Sequence, residues 1–139
     1  MTMLEQIAKD ITDAMKKKEK ERLDALRYLK AMLQENKVSK APKAELDIVV
    51  AHHKKLKDSI ENFPEGHILR EKTLKEISFL EIYLPKQMTK DEVVSLIKSI
   101  ISSQENTQIG LVMKELSPQI KGKFDGKEAS NLVSELLKN

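Results

Sequence analysis

Residues 109–127 read IGLVMKELSPQIKGKFDGK, and this stretch determines how the last part of the chain folds. Its first half has apolar residues at a spacing of three and four, which predicts a short helix that ends near Pro118. Gly122 and Gly126 then predict a tight turn, because glycine adopts positive φ readily and lets another backbone approach closely. Asp125 has the character of an N-cap and predicts the start of a final helix.

Lysines surround this turn and make it a candidate contact for an anionic partner. The N–H groups and dipole at the start of a helix attract anions, and ammonium groups add positive charge. An ordinary interhelical turn with solvated lysines has the same pattern, so the residues alone leave both interpretations open. Phe124 predicts either a core side chain or one that stacks on a base. The candidate nucleic-acid-binding residues are Lys114, Lys121, Gly122, Lys123, Gly126 and Lys127.

Outside this stretch, amphipathic patterns predict an all-α protein. Aromatic residues make up 4% of the chain, and it has only four glycines and four prolines, which disfavours a sheet protein. Four apolar stripes predict an N-terminal helical bundle over residues 1–85. Thr89 and Glu92 form a capping-box pattern at the start of a small three-helix domain over residues 86–139. Polar residues 102–108 predict a loop within that domain.

Composition excludes several kinds of chemistry. The chain has no cysteine, which excludes disulfides, thiolate nucleophiles and cysteine-ligated zinc. No apolar run approaches the roughly 20 residues that a membrane helix needs. The first residues carry charges throughout and have no apolar core, unlike a signal peptide. We therefore expect a cytoplasmic protein without membrane contact.

The histidines and acidic residues show no recognisable active-site pattern. His52 and His53 point about 100° apart on a helix, which disfavours a shared metal ion, and we predict a partly buried His53 beside a surface His52. Acids on predicted helices, such as Glu71 and Glu76, are typical of solvated faces. We therefore predict no catalytic residue, no cofactor and no metal.

Charge permits a nucleic-acid partner without requiring one. The net charge is +3 and the sequence pI is about 9.0. Residues 65–139 hold 11 basic and 11 acidic side chains, so any anionic partner must meet a local patch. The run KKKEK at residues 16–20 is a second basic patch, more typical of a solvated helix edge than of a phosphate contact.

Motifs along nearly the whole chain, taken in order, resemble the YqeY family. They include DITDAMK at residues 10–16, KDSIENF at 57–63 and YLP at 83–85. The tail motifs GLVMK at 110–114 and KGKFDGK at 121–127 are similar to a domain that YqeY proteins share with another enzyme. That enzyme is the glutamine-dependent aspartyl/glutamyl-tRNA amidotransferase, and the domain is the tail of its B subunit.

The resemblance implies an all-helical, two-part protein whose tail domain helps to hold tRNA. It implies tRNA as a partner, with an amidotransferase or an aminoacyl-tRNA synthetase as protein partner, and no recognition of DNA sequence. The family label would be carbon–nitrogen ligase with glutamine as amido-N-donor. Since the resemblance implies that this chemistry sits in other domains and subunits, we expect no catalysis by this chain alone. The alternative is a protein-interaction adaptor that docks on a translation-related enzyme or the ribosome.

Overall fold

The computed structural model describes residues 2–105 and 108–138, and every regular element within them is a helix. This confirms the predicted all-α class. By its internal contacts the chain divides into two compact units, one through Leu84 and one from Pro85. The predicted loop at 102–108 includes Asn106 and Thr107, which lie outside the described residues. None of the described helices has the length and apolar content that spanning a bilayer requires.

The N-terminal unit is a bundle of four α-helices. Their bounds are α1 Met3–Lys16, α2 Lys20–Lys37, α3 Glu45–Ser59 and α4 Ile68–Glu81, with a 3-10 turn at Ile60–Asn62. Helix α2 packs against each of the other three. The buried side chains that form its core are Ile7, Leu26, Leu29, Leu33, Val49 and Leu80.

The basic run at residues 16–20 forms the corner between α1 and α2. Lys18 has φ 58, in the left-handed region, where a non-glycine residue costs about 1–2 kcal/mol. Arg22 closes the corner, because its Nη1 donates to Asp13 Oδ2 at 3.0 Å and to Glu19 Oε2 at 3.2 Å. The hydrogen bond from Arg22 holds the pKa of Asp13 below its ordinary value. The run therefore lies where α1 ends and α2 begins.

Tyr83, in the YLP motif, connects the segment after α4 to α1. Its hydroxyl donates to Asp10 Oδ2 at 2.6 Å. Burial, followed by this hydrogen bond and the charge of Asp10, raises the pKa of Tyr83 above its ordinary value of 10.0. The partly buried Tyr83 hydroxyl thus holds the segment after α4 against α1 through a charge-assisted hydrogen bond.

Replacing Tyr83 by phenylalanine should destabilise the N-terminal unit by about 1–3 kcal/mol, because Asp10 loses a donor. Folding favours the neutral phenol. The contribution of its raised pKa is therefore fully present below pH 10.0 and is lost as the pH rises above that value. Urea unfolding at about pH 8 and about pH 11 measures both effects. Wild-type protein should lose more stability between these pH values than Tyr83→Phe; equal losses would contradict the assignment.

The C-terminal unit contains three α-helices around its own core. Their bounds are α5 Lys90–Ser103, α6 Ile109–Ile120 and α7 Gly126–Lys138. The predicted capping box starts α5: Thr89 Oγ1 accepts from Glu92 N at 3.2 Å, and Glu92 Oε1 accepts from Thr89 N at 3.1 Å. The buried side chains are Val93, Ile97, Ile100, Val112, Leu116, Ile120, Ala129, Leu132 and Val133.

Helix α6 ends at Ile120, near the proline as predicted, but Pro118 itself lies within the helix and two residues follow it. A proline within a helix removes one N–H donor, which here would serve the carbonyl of Lys114. Its fixed φ is nevertheless helical, and the residue lies in the last turn. Leu116 and Ile120 are buried on the same face, and burial of Ile120 stabilises the turn that follows the proline.

Candidate nucleic-acid interface

The turn between α6 and α7 covers residues 121–125 and is closed by its own backbone. The N–H groups of Lys123 and Phe124 both donate to Ile120 O, at 2.8 and 3.1 Å. Gly122 has φ 75, which confirms the positive φ predicted there. The turn is thus a defined structure that requires a glycine at one position.

Gly126 differs from the prediction that it supplies positive φ or a close backbone approach. It is the first residue of α7 and is not among the glycines with positive φ. A Cβ built on it meets no atom within 4 Å. The prediction was wrong because the aspartate before it already begins a helix, whose first turn any residue can adopt.

Two residues before α5 hold this turn from outside. Gln87 Nε2 donates to Pro85 O at 2.9 Å and to Gly122 O at 2.7 Å. Met88 N donates to Lys123 O at 2.9 Å. Two consecutive carbonyls of the turn are therefore bonded to a third segment, which fixes the backbone that carries the lysines. Local sequence patterns could not indicate Gln87, because its partner lies 35 residues away.

Asp125 caps α7, as predicted. Its Oδ2 accepts from Glu128 N at 3.2 Å. The cap and Glu128 place two carboxylates in the first turn, where a negative charge already interacts favourably with the helix dipole. Attraction of an external anion to this turn must therefore come from the lysines more than from the helix end.

The lysines predicted to bind nucleic acid lie on α6, in the clamped turn and at the start of α7. Lys114, Lys121 and Lys127 are exposed, and Lys123 is half-buried. Lys114 lies on α6, and Lys121 directly follows the last residue of that helix. Lys86 is also exposed and stands next to the clamping Gln87, although sequence reasoning did not include it. We call these five lysines the basic turn surface.

Phe124 lies in the turn and contributes to the core of the C-terminal unit. Its half-buried side chain packs against the core of the C-terminal unit. Of the two roles that the sequence left open, the structure supports the core role. The aromatic ring therefore helps to seat the turn on the three helices.

Gly122→Ala should destabilise the C-terminal unit by about 1–2 kcal/mol, because an alanine at φ 75 is strained. Gly126→Ala is the matched control, since its backbone is compatible with a side chain; we expect it to be neutral or to stabilise by up to about 1 kcal/mol. Thermal unfolding of both variants measures the difference. Equal destabilisation by the two substitutions would show that the positive φ has no energetic role.

The structure corrects the prediction for the histidines of α3. Both are buried, at 7% exposure each, although His52 was expected at the surface. Burial lowers both pKa values. His53 Nε2 lies 3.4 Å from Glu81 Oε1, and His52 Nε2 lies 3.9 Å from Glu76 Oε1. Within residues 2–105 and 108–138, no group of three or more His, Asp and Glu side chains is arranged to hold a metal ion.

Glu76 also departs from the expected solvated face. Its side chain is 29% exposed, and burial raises its pKa above the ordinary value. The residue pattern of α4 could not indicate this burial, because side chains of α2 and α3 line the same clefts as Glu76.

Comparison with known proteins places the chain in one family. No curated protein matches the sequence. The family model described as Yqey-like protein matches residues 4–137. This span includes all seven α-helices except Met3 of α1 and Lys138 of α7. The similarity of the tail motifs to the amidotransferase B subunit stays a prediction. Since the family model spans both units, the chain belongs to the YqeY family.

Proposed function

We propose that this protein binds tRNA as an accessory factor and that the basic turn surface contacts the phosphate backbone. The observation that carries the proposal is the clamped turn. Gln87 bonds to the carbonyl of Gly122 and Met88 to that of Lys123, so Lys121 and Lys123 extend from a fixed backbone. Lysines on a fixed backbone lose less conformational freedom on binding than lysines on a mobile loop.

The charge of this surface suits phosphates better than bases. Lysine is a compact point charge that contacts phosphate oxygens, and such contacts supply affinity and orientation without reading sequence. Phe124 packs on the core, so base stacking at the turn is not part of the proposal. The resemblance to the amidotransferase tail is the reason for choosing tRNA among folded RNAs.

Filter binding with bulk tRNA and with duplex DNA of similar length, at about 0.1 M salt, tests this function. We expect saturable tRNA binding and at least about tenfold weaker binding to DNA, because a fixed surface fits one backbone shape better than another. Equal affinity for both polymers would identify a general polyanion binder. Absence of saturable tRNA binding would remove the proposal.

The adaptor function is a second candidate, favoured by exposed apolar side chains at the start of α6. Ile109 and Leu111 are 40% and 42% exposed, and both lie in the C-terminal unit. Exposed apolar side chains of this kind suit contact with a protein. Capture of an amidotransferase, an aminoacyl-tRNA synthetase or ribosomes after ribonuclease treatment, and its loss in Leu111→Lys, would support docking. Loss of all capture after ribonuclease treatment would count against it.

A further inference from the structure

The N-terminal unit has a cleft between α2, α3 and α4. The cleft has a volume of about 330 Å³, in the range of small-molecule sites. Tyr28 from α2, His52 from α3 and Glu76 from α4 all line it. None of these residues is part of the basic turn surface, so this inference is independent of the proposed function.

His52 carries a buried ring nitrogen with unmet hydrogen-bonding capacity. Its Nε2 has no hydrogen-bond partner among the residues that the structure describes. The nearest acidic atom, Glu76 Oε1, lies 3.9 Å away, too far for a hydrogen bond. An unpaired polar atom in such a position destabilises the fold, and a ligand that pairs with it would recover this cost.

A single hydroxyl group matches this pair of atoms. An oxygen at roughly 2.8 Å from each atom spans a gap of 3.9 Å. A hydroxyl donates its one hydrogen to the Glu76 carboxylate and accepts from Nε2–H, so it pairs with the Nε2-protonated tautomer of a neutral His52. Burial lowers the pKa of His52, in agreement with a neutral ring. Other side chains cover His52 Nε2. A small movement of the exposed Tyr28 or of the partly exposed Glu76 must therefore accompany entry of the ligand.

The rest of the cleft offers an aromatic ring and a cation. Tyr28 is 58% exposed, and its ring leans on that of His52 with centroids 5.3 Å apart. The remaining ring surface suits a planar base, since stacking is tolerant of base identity. Lys55 lines the same cleft and is exposed, as a phosphate contact requires. A carboxylate that receives a ribose hydroxyl is a common element of nucleotide sites.

We propose that this cleft binds a ribonucleotide, with a ribose hydroxyl between His52 Nε2 and Glu76 Oε1, the base on Tyr28 and the phosphate at Lys55. Each chemical part of the ligand then has a matching side chain. The adjoining cleft beside Tyr28 is lined by two carboxylates, Glu21 and Asp24, and by one cation, Lys72, so phosphate is better accommodated at the Lys55 side.

Residue-resolved NMR titration of the full chain with adenosine 5′-monophosphate tests the site. We expect saturable shifts at Tyr28, His52 and Glu76, and at least about tenfold weaker binding of the 2′,3′-dideoxy analogue, which lacks the hydroxyls. This comparison needs no protein variant. Shifts confined to residues 121–127, or equal affinity for the two nucleotides, would overturn the proposal.

Glu76→Gln should weaken binding of adenosine 5′-monophosphate by about five- to tenfold, because a charge-assisted hydrogen bond is replaced by a neutral one. Glu71→Gln is the matched control, since it removes the same charge from an exposed position of α4. It should leave binding unchanged. Equal weakening by both variants would reduce the effect to general electrostatics and contradict the site.

The nucleotide could be free or could end an RNA chain, and two oligomers distinguish these sources. A short oligoadenylate with a free 3′ end keeps both ribose hydroxyls, whereas the same oligomer with a 3′-phosphate lacks one. Tighter binding of the free-ended oligomer than of both the mononucleotide and the 3′-phosphorylated oligomer would assign the cleft to an RNA terminus. Weaker binding would assign it to a free nucleotide, and either result supports the site.

Discussion

Alanine at Lys121, Lys123 and Lys127 together should lower tRNA affinity by about a hundredfold at roughly 0.1 M salt. Each phosphate that a lysine neutralises releases bound counterions, so the loss of three such contacts is large when salt is low. For the same reason, the slope of log affinity against log salt should become shallower by about 2. Filter binding across a series of salt concentrations measures both quantities.

The matched control replaces Lys37, Lys40 and Lys43 by alanine. These lysines are exposed and lie at and after the end of α2, so the change in net charge is the same. We expect less than about a threefold loss of affinity and an unaltered slope. If both triple variants lost affinity to the same degree, the contact would depend on net charge and not on the clamped turn.

Local sequence patterns predicted the parts of this site that depend on local backbone preference. Gly122 takes positive φ and Asp125 caps α7, and both follow from the residue types and their spacing. Gln87 could not be found in this way. Its hydrogen bond to Gly122 O joins residues far apart in the chain, and only the packing of the segment before α5 brings them together.

Pro118 shows where a local rule fails for a physical reason. The rule that proline ends a helix weighs one lost hydrogen bond and a steric clash. It does not include burial of Ile120 two residues later, which depends on the presence of α5 and α7. Tertiary packing therefore decided the end of α6 against the local preference.

The histidines show a different limit. Periodicity placed His53 on the apolar face of α3 and left His52 outside it. In the bundle, however, α2 and α4 both pack on α3, so the buried arc is wider than one stripe and includes both residues. The cleft at His52 lies where these three helices meet. The periodicity of one helix at a time could not reveal it.

Leu116→Ala should unfold much of the C-terminal unit at about 25 °C. Leu116 is fully buried on α6, and its truncation removes transfer free energy and leaves a cavity, at a cost of about 2–5 kcal/mol. A core of this size supplies only about 3–5 kcal/mol of stability, so the two quantities are comparable. Hydrogen exchange of the α5, α6 and α7 amides measures the loss, and tRNA affinity should fall with it because the clamped turn belongs to the same unit.

Leu111→Ala on the same helix separates burial from the chemistry of the substitution. Leu111 is 42% exposed, so its truncation removes less buried area and leaves no enclosed cavity. We expect a cost below about 1 kcal/mol and native protection of the amides in all three helices. Equal destabilisation by the two substitutions would contradict the assignment of Leu116 to the core of the three helices. The basic turn surface would then lack the rigid support on which its proposed contact with RNA depends.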